Sequence, residues 1–205
     1  VMIGKLDSIE PRVVTVIGAG VAGTQSISKA LDNHALVKVL DTSQTKLQQL
    51  ESEFGSSNIE YILSTTDSVQ SAINESDMVI GSVYVVGKEA PKVVSRDMLK
   101  SMNPGTVMVD VSIDQGGCFE SSRPTTHDNP TFLENEIVHY CVTNMPGAVP
   151  LTATQALNKV TLSYIEDLAN KGVENALNDD EHLRNGLNIQ NGEITHPAVK
   201  DALNN

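Results

Sequence analysis

The chain has 205 residues, of which 40% are hydrophobic and 20% are charged, so it can bury a sizeable core and is neither disordered nor fibrous. Its 14 Lys and Arg against 26 Asp and Glu give a formal charge of -12, which disfavours binding to nucleic acid or anionic membranes. It contains no apolar run of the roughly 20 residues that a membrane helix needs, and no signal-peptide pattern. We therefore expect a soluble, cytoplasmic protein of one large or two small domains.

Five short apolar runs predict the strands of a sheet. They are rich in Val, Ile and Leu and do not alternate with polar residues, which favours parallel strands buried on both faces. The runs are Val13–Ile17, Leu36–Leu40, Tyr61–Leu63, Met78–Ile80 and Val107–Val111. The intervening segments 22–31, 43–54 and 68–73 fit crossover helices. Alternating strands and helices predict an α/β domain with a doubly wound parallel sheet of the Rossmann type.

The first run leads directly into a GxGxxG motif, residues 18–23, at a strand-to-helix turn. The first glycine, Gly18, permits the tight turn, and Gly20 lets the backbone approach a pyrophosphate. The third, Gly23, allows close packing of the helix on the sheet. The alternative is that the three glycines serve packing alone. The position of the motif between a strand and a helix favours cofactor binding.

Asp41 follows the second run, 18 positions after Gly23, where a carboxylate can accept hydrogen bonds from an adenosine ribose. Its negative charge would repel a 2′-phosphate, and no Arg follows it within the turn. The sequence therefore predicts NAD(H) rather than NADP(H). The alternative is that Asp41 caps the helix that begins at Thr42 or Ser43.

A polar, glycine-rich turn follows the fifth run and contains Asp114, Gly116 and Gly117. In open parallel sheets the ligand lies beyond the carboxyl ends of the strands, so Asp114 would point toward a bound nicotinamide. An Asp before two glycines is also a common turn-former. Spacing alone leaves both interpretations open.

Other reactive side chains give weaker signals. Cys141 lies in an apolar run and is expected to be buried, whereas Cys118 is expected to be more exposed but has no His nearby in sequence to activate it. Neither a disulfide framework nor a metal site is indicated. The basic cluster of Lys88, Lys92 and Arg96 is expected to be a solvated loop rather than an anion site. Five histidines are expected to be structural or at the surface: His34, His127, His139, His182 and His196.

The composition changes after about Val142. The segment 144–150 is rich in Pro and Gly, and the segment 153–169 beyond it places Leu157, Val160, Ile165 and Leu168 on one broad helical face. We therefore predict a dinucleotide-binding domain over residues 1–150 and a helical segment over residues 151–205.

Four strings carry a resemblance to a known family: VIGAGVAG (16–23), VDVSIDQGGCFE (109–120), SRPTT (122–126) and HYCVTNMPGAVP (139–150). By these strings the chain resembles the alanine dehydrogenases, of the family that also includes the nicotinamide nucleotide transhydrogenase α subunit. The strings IDQGGCFE and SRPTT separate it from the transhydrogenase branch.

The resemblance implies the reversible, NAD-dependent oxidative deamination of L-alanine to pyruvate and ammonia, in a homo-oligomer that is a hexamer or a dimer. It implies that Asp114 is the catalytic aspartate and that Val21 and Ala22 contact the pyrophosphate. It places Asp41 and Lys46 at the ribose and adenine side, although the sequence alone favours a solvated helix charge for Lys46. The remaining contacts that it implies are Ser64 at the adenine side and, along the rest of the cofactor wall, Val83, Tyr84, Val111, Arg123, Asn144 and Met145.

Members of the resembled family are longer at the N-terminus, where a substrate domain supplies an Arg, a Lys and a His. We expect those residues to be absent here and the helical segment 151–205 to belong to that substrate domain. Two alternatives follow. One alternative is that the chain binds NAD(H) without turnover. The other is that it is a transhydrogenase α-type domain, but the short segment after Asp41 argues against this.

Overall fold

The computed structural model describes residues 2–5, 7–85 and 89–203, and these form two compact units. The first comprises the described residues up to 143, and the second comprises residues 144–203. The division predicted at residue 150 stays a prediction about domains. Lys88 lies outside the described residues.

The first unit is built on a seven-stranded sheet in the order β3-β2-β1-β4-β5-β7-β6. Neighbouring strands are parallel except for the antiparallel pair β6 and β7. This confirms the predicted doubly wound sheet and all five predicted strands, and adds a hairpin. The strands are β1 Val13–Ile17, β2 Leu36–Asp41, β3 Ile59–Leu63, β4 Met78–Gly81, β5 Val107–Asp110, β6 Thr131–Glu134 and β7 Ile137–Tyr140.

Three helices connect the first four strands: α1 Val21–Asp32, α2 Gln44–Phe54 and α3 Thr66–Asn74. Each begins at a local sequence signal. Gly20 is the N-cap of α1, Ser43 Oγ accepts from Lys46 N at the start of α2, and Thr65 and Ser68 form a capping box at α3. Gly55, with a φ of 72°, ends α2.

The two faces of the sheet differ in how far they are covered. On one face α1 and α2 pack over β1, β2 and β3 and bury Val16, Val39 and Leu50. Farther along the same face, Met78 and Ile80 of β4 are only half-buried, as are Val107 and Val109 of β5. The side chains that alternate with them, such as Val79 and Met108, are fully buried on the opposite face. The expectation of full burial on both faces is therefore wrong for β4 and β5, because α1 and α2 pack mainly over β1, β2 and β3, and α1 covers Met78 and Ile80 of β4 only in part.

The second unit is mainly helical and includes the predicted helix 153–169 within α4, Pro150–Lys171. Leu157, Val160 and Ile165 on this helix are exposed. The unit also contains a 3₁₀ turn, Met145–Ala148, and α5 Val173–Asp179, α6 Glu181–Asn185, β8 Ile189–Gln190, β9 Glu193–Ile194 and α7 Pro197–Leu203. Within the described ranges, no helix is both long enough and apolar enough to cross a membrane.

Candidate functional site

A cleft of about 700 Å³ lies at the carboxyl ends of β1, β2, β4 and β5, within the size range of small-molecule and cofactor sites. This is the edge at which open parallel sheets bind ligands. The structure brings nine of the predicted site residues together in its lining: Gly18, Gly20, Val21, Ala22, Asp41, Val83, Tyr84, Val111 and Asp114.

The three glycines of the motif have different surroundings. A Cβ on Gly18, whose φ is 93°, would lie 2.7 Å from the Ser82 carbonyl oxygen, and one on Gly23 would lie 1.9 Å from the Gly18 oxygen. A Cβ on Gly20 would meet nothing within 4 Å. The fold therefore requires the first and third glycines, whereas the second faces open space, as a position that admits a pyrophosphate would.

The N-terminus of α1 has the partial positive charge that a pyrophosphate needs. Its N-cap, Gly20, has no side chain to cap the helix, and the first turn contains no acidic residue. Val21 at the start of the helix is 87% exposed. Backbone N–H groups at a helix start lack intrahelical partners and carry partial positive charge, so they favour phosphate. The residues present fit the pyrophosphate of a dinucleotide.

Asp41 connects the end of β2 to the glycine turn. Its Oδ2 accepts from Ala19 N at 2.8 Å, and its Oδ1 accepts from Ser43 N at 2.8 Å. Ser43 is the N-cap of α2, so the alternative that Asp41 caps this helix is wrong. A carboxylate offers about four acceptor positions, so Asp41 can hold the turn and still accept from a ribose hydroxyl.

Asp114 lies in a 3₁₀ turn, Ile113–Gln115, just beyond β5, and is exposed to the cleft. The buried carboxylate of Asp110 at the end of β5 fixes this turn from inside. It accepts from Cys118 N at 2.8 Å and from Ser122 Oγ at 2.5 Å. A Cβ on Gly117 would lie 2.7 Å from Asp110 Oδ2, so only glycine allows the chain to pass so close.

Both cysteines are buried and free. Burial, and after it the charge of Asp110, raises the pKa of the Cys118 thiol far above its ordinary value. The expectation that Cys118 is the more exposed of the two is wrong, and a thiol in this state does not serve as a nucleophile. The predicted burial of Cys141 is confirmed, and its pKa is also raised by burial.

Five further residues line the cleft and were not singled out from the sequence: Ala19, Thr42, Ser82, Ser112 and Gln115. Two of them hold neighbouring backbone in place. Ser82 Oγ donates to the Gly18 carbonyl oxygen at 2.6 Å, and Ser112 Oγ donates to the Val83 carbonyl oxygen at 2.8 Å. The signal that could have found Ser82 is its position directly after a predicted strand.

Six predicted contacts lie outside the lining of this cleft, Gly23 of the glycine motif and five others, and their cofactor-binding roles stay predictions. Ser64 follows β3, where its N–H donates to the Asp41 carbonyl oxygen at 2.9 Å, and Lys46 lies in the first turn of α2. The Arg123 guanidinium lies 3.9 Å from the centre of the Phe132 ring. The last two, Asn144 and Met145, belong to the second unit.

The described members of the basic cluster, Lys92 and Arg96, lie in an exposed loop, as expected, and each also has a specific partner. Lys92 Nζ donates to the carbonyl oxygens of Gly116 and Gly117, and Arg96 forms an ion pair with Glu134. Within the described ranges, no three His, Cys, Asp or Glu side chains are grouped so that they could hold a metal ion.

His139 is a buried structural histidine, as expected. Its Nε2 lies 2.8 Å from Ser121 Oγ, its ring stacks on Phe132 with centroids 4.8 Å apart, and burial lowers its pKa.

Residues 1–197 match the protein family described as alanine dehydrogenase/PNT, C-terminal domain. The chain belongs to this family. It is 47% identical over 202 residues to an alanine dehydrogenase of Halomonas elongata, covering 98% of this chain and 54% of that protein. It is 44% identical to one of Staphylococcus saprophyticus, covering 100% of this chain and 55% of that protein. The chain thus spans about half the length of the curated relatives that it matches.

Solved structures agree with this family and with the fold. An L-alanine dehydrogenase superimposes with a TM-score of 0.88 at 42% identity, covering 100% of this chain and 56% of that one. A transhydrogenase from Sinorhizobium meliloti, with a TM-score of 0.76 at 24% identity, covers 96% of this chain and 54% of that one and shows the fold alone. The family is NAD-dependent, and the cleft fits that cofactor.

Proposed function

We propose that the chain is the cofactor-binding portion of an alanine dehydrogenase, which carries out the reversible oxidative deamination of L-alanine to pyruvate and ammonia. The observation that carries this proposal is that the glycine turn, Asp41 and Asp114 line one cleft. When bound, NAD accepts a hydride from the α-carbon of alanine at its nicotinamide ring. The residues of the chain supply binding, orientation and electrostatics around that transfer.

Each part of the cleft has a role in this proposal. The N-terminus of α1, at Val21 and Ala22, binds the pyrophosphate, and the Asp41 carboxylate accepts from the ribose. Asp114 orients the reacting amine and supports its proton transfers. The apolar wall beside the nicotinamide consists of Val83, Tyr84 and Val111, and the family resemblance adds Lys46, Ser64, Arg123, Asn144 and Met145 as further contacts.

The cofactor preference can be tested on the chain itself. We expect the unmodified protein to bind NADH more tightly than NADPH, because Asp41 repels a 2′-phosphate. Asp41→Asn removes the charge and keeps one acceptor oxygen, for Ala19 N of the glycine turn, while giving up the acceptor for Ser43 N. It should narrow the preference for NADH over NADPH by about tenfold. The chain contains no Trp, so both nucleotides can be titrated by their own fluorescence. Equal affinity of the unmodified protein for both nucleotides would overturn this assignment.

The role of Asp114 is tested in a full-length alanine dehydrogenase that carries this chain. Asp114→Asn keeps the shape of the side chain and removes its charge, so turnover should fall roughly a hundredfold while the affinity for NADH changes little. Asp97→Asn is the matched control, because Asp97 pairs with Lys100 on the surface. If turnover is nearly unchanged in Asp114→Asn, Asp114 only shapes the turn and has no catalytic role.

A second candidate function is an NAD(H)-binding module without turnover. It is favoured for the isolated chain because the chain spans about half the length of its relatives. We expect the 205-residue protein to bind NADH and to show no alanine-dependent rise in NADH absorbance, since hydride transfer requires alanine to be fixed against the nicotinamide. A clear rise would locate a substrate site within this chain.

We further propose that the full-length protein is cytoplasmic and a homo-oligomer, either a hexamer or a dimer. The exposed apolar side chains of α4 support association, and the two free, buried thiols are typical of a reducing compartment.

A further inference from the structure

The turn that carries Asp114 is held against a second segment of the first unit, residues 90–93. Four consecutive carbonyl oxygens, those of residues 115–118, accept hydrogen bonds from this one segment. Ala90 N donates to the first at 3.0 Å, and Val93 N donates to the last at 2.8 Å. The turn is thus anchored on its outer side, as Asp110 anchors it from inside.

The two middle carbonyls, those of Gly116 and Gly117, are bound by a side chain. Lys92 Nζ donates to them at 2.5 Å and 2.7 Å. Both glycines have positive φ, 86° and 74°, so this part of the turn follows a path that other residues rarely adopt. The residue before Lys92 is Pro91, which has no N–H to donate. Pro91 therefore contributes no backbone donor to the turn, and the ammonium of Lys92 binds these two carbonyls.

We propose that Lys92 is a positioning residue, which holds the Gly116 and Gly117 carbonyls so that Asp114 keeps a fixed place at the cleft. Hydrogen bonds from a charged donor are roughly twice as strong as neutral ones, and here one ammonium makes two of them. The same turn supplies Val111, Ser112 and Gln115 to the lining, so its position also affects cofactor binding. This inference rests on the proposed function, in which Asp114 faces the nicotinamide.

Three variants of the full chain separate positioning from ordinary surface charge. Lys92→Met keeps the aliphatic stem and removes the donors, whereas Lys92→Arg restores charged donors. Lys100→Met is the control, because Lys100 forms an exposed pair with Asp97 three residues earlier in the chain. The measurements are hydrogen exchange of the amides of residues 114–118 and the affinity for NADH.

We expect Lys92→Met to speed exchange at residues 114–118 about tenfold or more and to weaken NADH binding severalfold. Lys92→Arg should keep both the exchange rates and the NADH affinity close to those of the unmodified chain, and Lys100→Met should change neither quantity. In the full-length enzyme, Lys92→Met should lower kcat more than it changes the KM for alanine, because it shifts Asp114, which supports the proton transfers, and leaves the residues of the substrate domain unchanged.

Unchanged exchange in Lys92→Met would overturn the inference, as would an equal loss in Lys92→Arg and Lys92→Met. If the unmodified chain fails to bind NADH, the proposed function is wrong, and the exchange measurement still decides whether Lys92 holds the turn.

Discussion

At the scale of single residues, the three glycines of the motif show how one pattern combines two constraints. Gly18 and Gly23 are required by contacts inside the fold, because a side chain on either would overlap backbone oxygen atoms. Gly20 faces open space, so only a ligand gives a reason to exclude a side chain there. Substitutions at these positions should therefore separate folding from binding.

We predict that Gly20→Ala leaves the melting temperature nearly unchanged and weakens NADH binding at least about tenfold, because the new methyl group occupies space beside the pyrophosphate. Gly23→Ala should instead lower the melting temperature strongly, since its Cβ would lie 1.9 Å from the Gly18 oxygen. Calorimetry and fluorescence titration of both variants test this. Full NADH affinity in Gly20→Ala would show that the cleft does not hold the pyrophosphate there.

The sequence predicts those site residues whose position depends only on the secondary-structure elements next to them in the chain. The positions of Gly18, Gly20 and Asp41 at the cleft could be predicted because a strand, a tight turn and a helix follow one another there. Lys92 and Asp110 could not, since their contacts are made across the fold: Lys92 binds carbonyls 24 and 25 positions away. Nothing in the local sequence distinguishes such a lysine from a solvated one.

At the scale of elements, the hairpin of β6 and β7 is the part of the sheet that the sequence analysis missed. Its turn consists of Asn135 and Glu136, both with positive φ, as in the type I′ turns that favour Asn followed by Gly. Glu at the second position conceals that signal. β7 nevertheless extends the sheet beside β5, and its central residue, His139, is completely buried.

His139 should make the stability of the chain depend on pH. Burial lowers its pKa in the folded state, whereas in the unfolded chain the pKa is about 6.5. The unfolded state therefore binds the extra proton first, so this contribution is complete above about pH 6.5 and is lost as the pH falls toward the folded-state pKa. Because at most one proton is involved, the free energy of unfolding changes by at most about 1.4 kcal/mol per pH unit through His139.

We predict that His139→Gln, which keeps a hydrogen-bonding group for Ser121, unfolds at lower urea concentration at pH 7. Its free energy of unfolding should also vary less between pH 7 and pH 5.5 than that of the unmodified chain. His182→Gln is the control, since His182 is exposed and its replacement should leave the slope unchanged. If the free energy of unfolding of His139→Gln varies with pH as much as that of the unmodified chain, other groups cause the acid sensitivity.

At the scale of the whole molecule, the sequence predicted the fold class and the cleft better than it predicted which surfaces are covered. Short apolar runs indicate strands, but which face each side chain takes and what packs on it depend on where the helices cross. The half-buried side chains of β4 and β5 and the exposed ones of α4 are the result. Apolar surface of this kind in contact with water favours association.

We predict that the chain associates in a concentration-dependent way through α4, where Leu157 and Val160 are 61% and 62% exposed. The double variant Leu157→Glu and Val160→Glu should shift light-scattering masses toward the monomer, because two charges cannot be buried against a second copy without a large desolvation penalty. The control adds the same charge elsewhere on α4, with Gln155→Glu and Lys159→Gln, both at exposed positions. If the control dissociates the protein equally, net charge and not this apolar face governs association. If the unmodified chain is a monomer at every concentration, exposed apolar side chains on α4 are insufficient to join two copies.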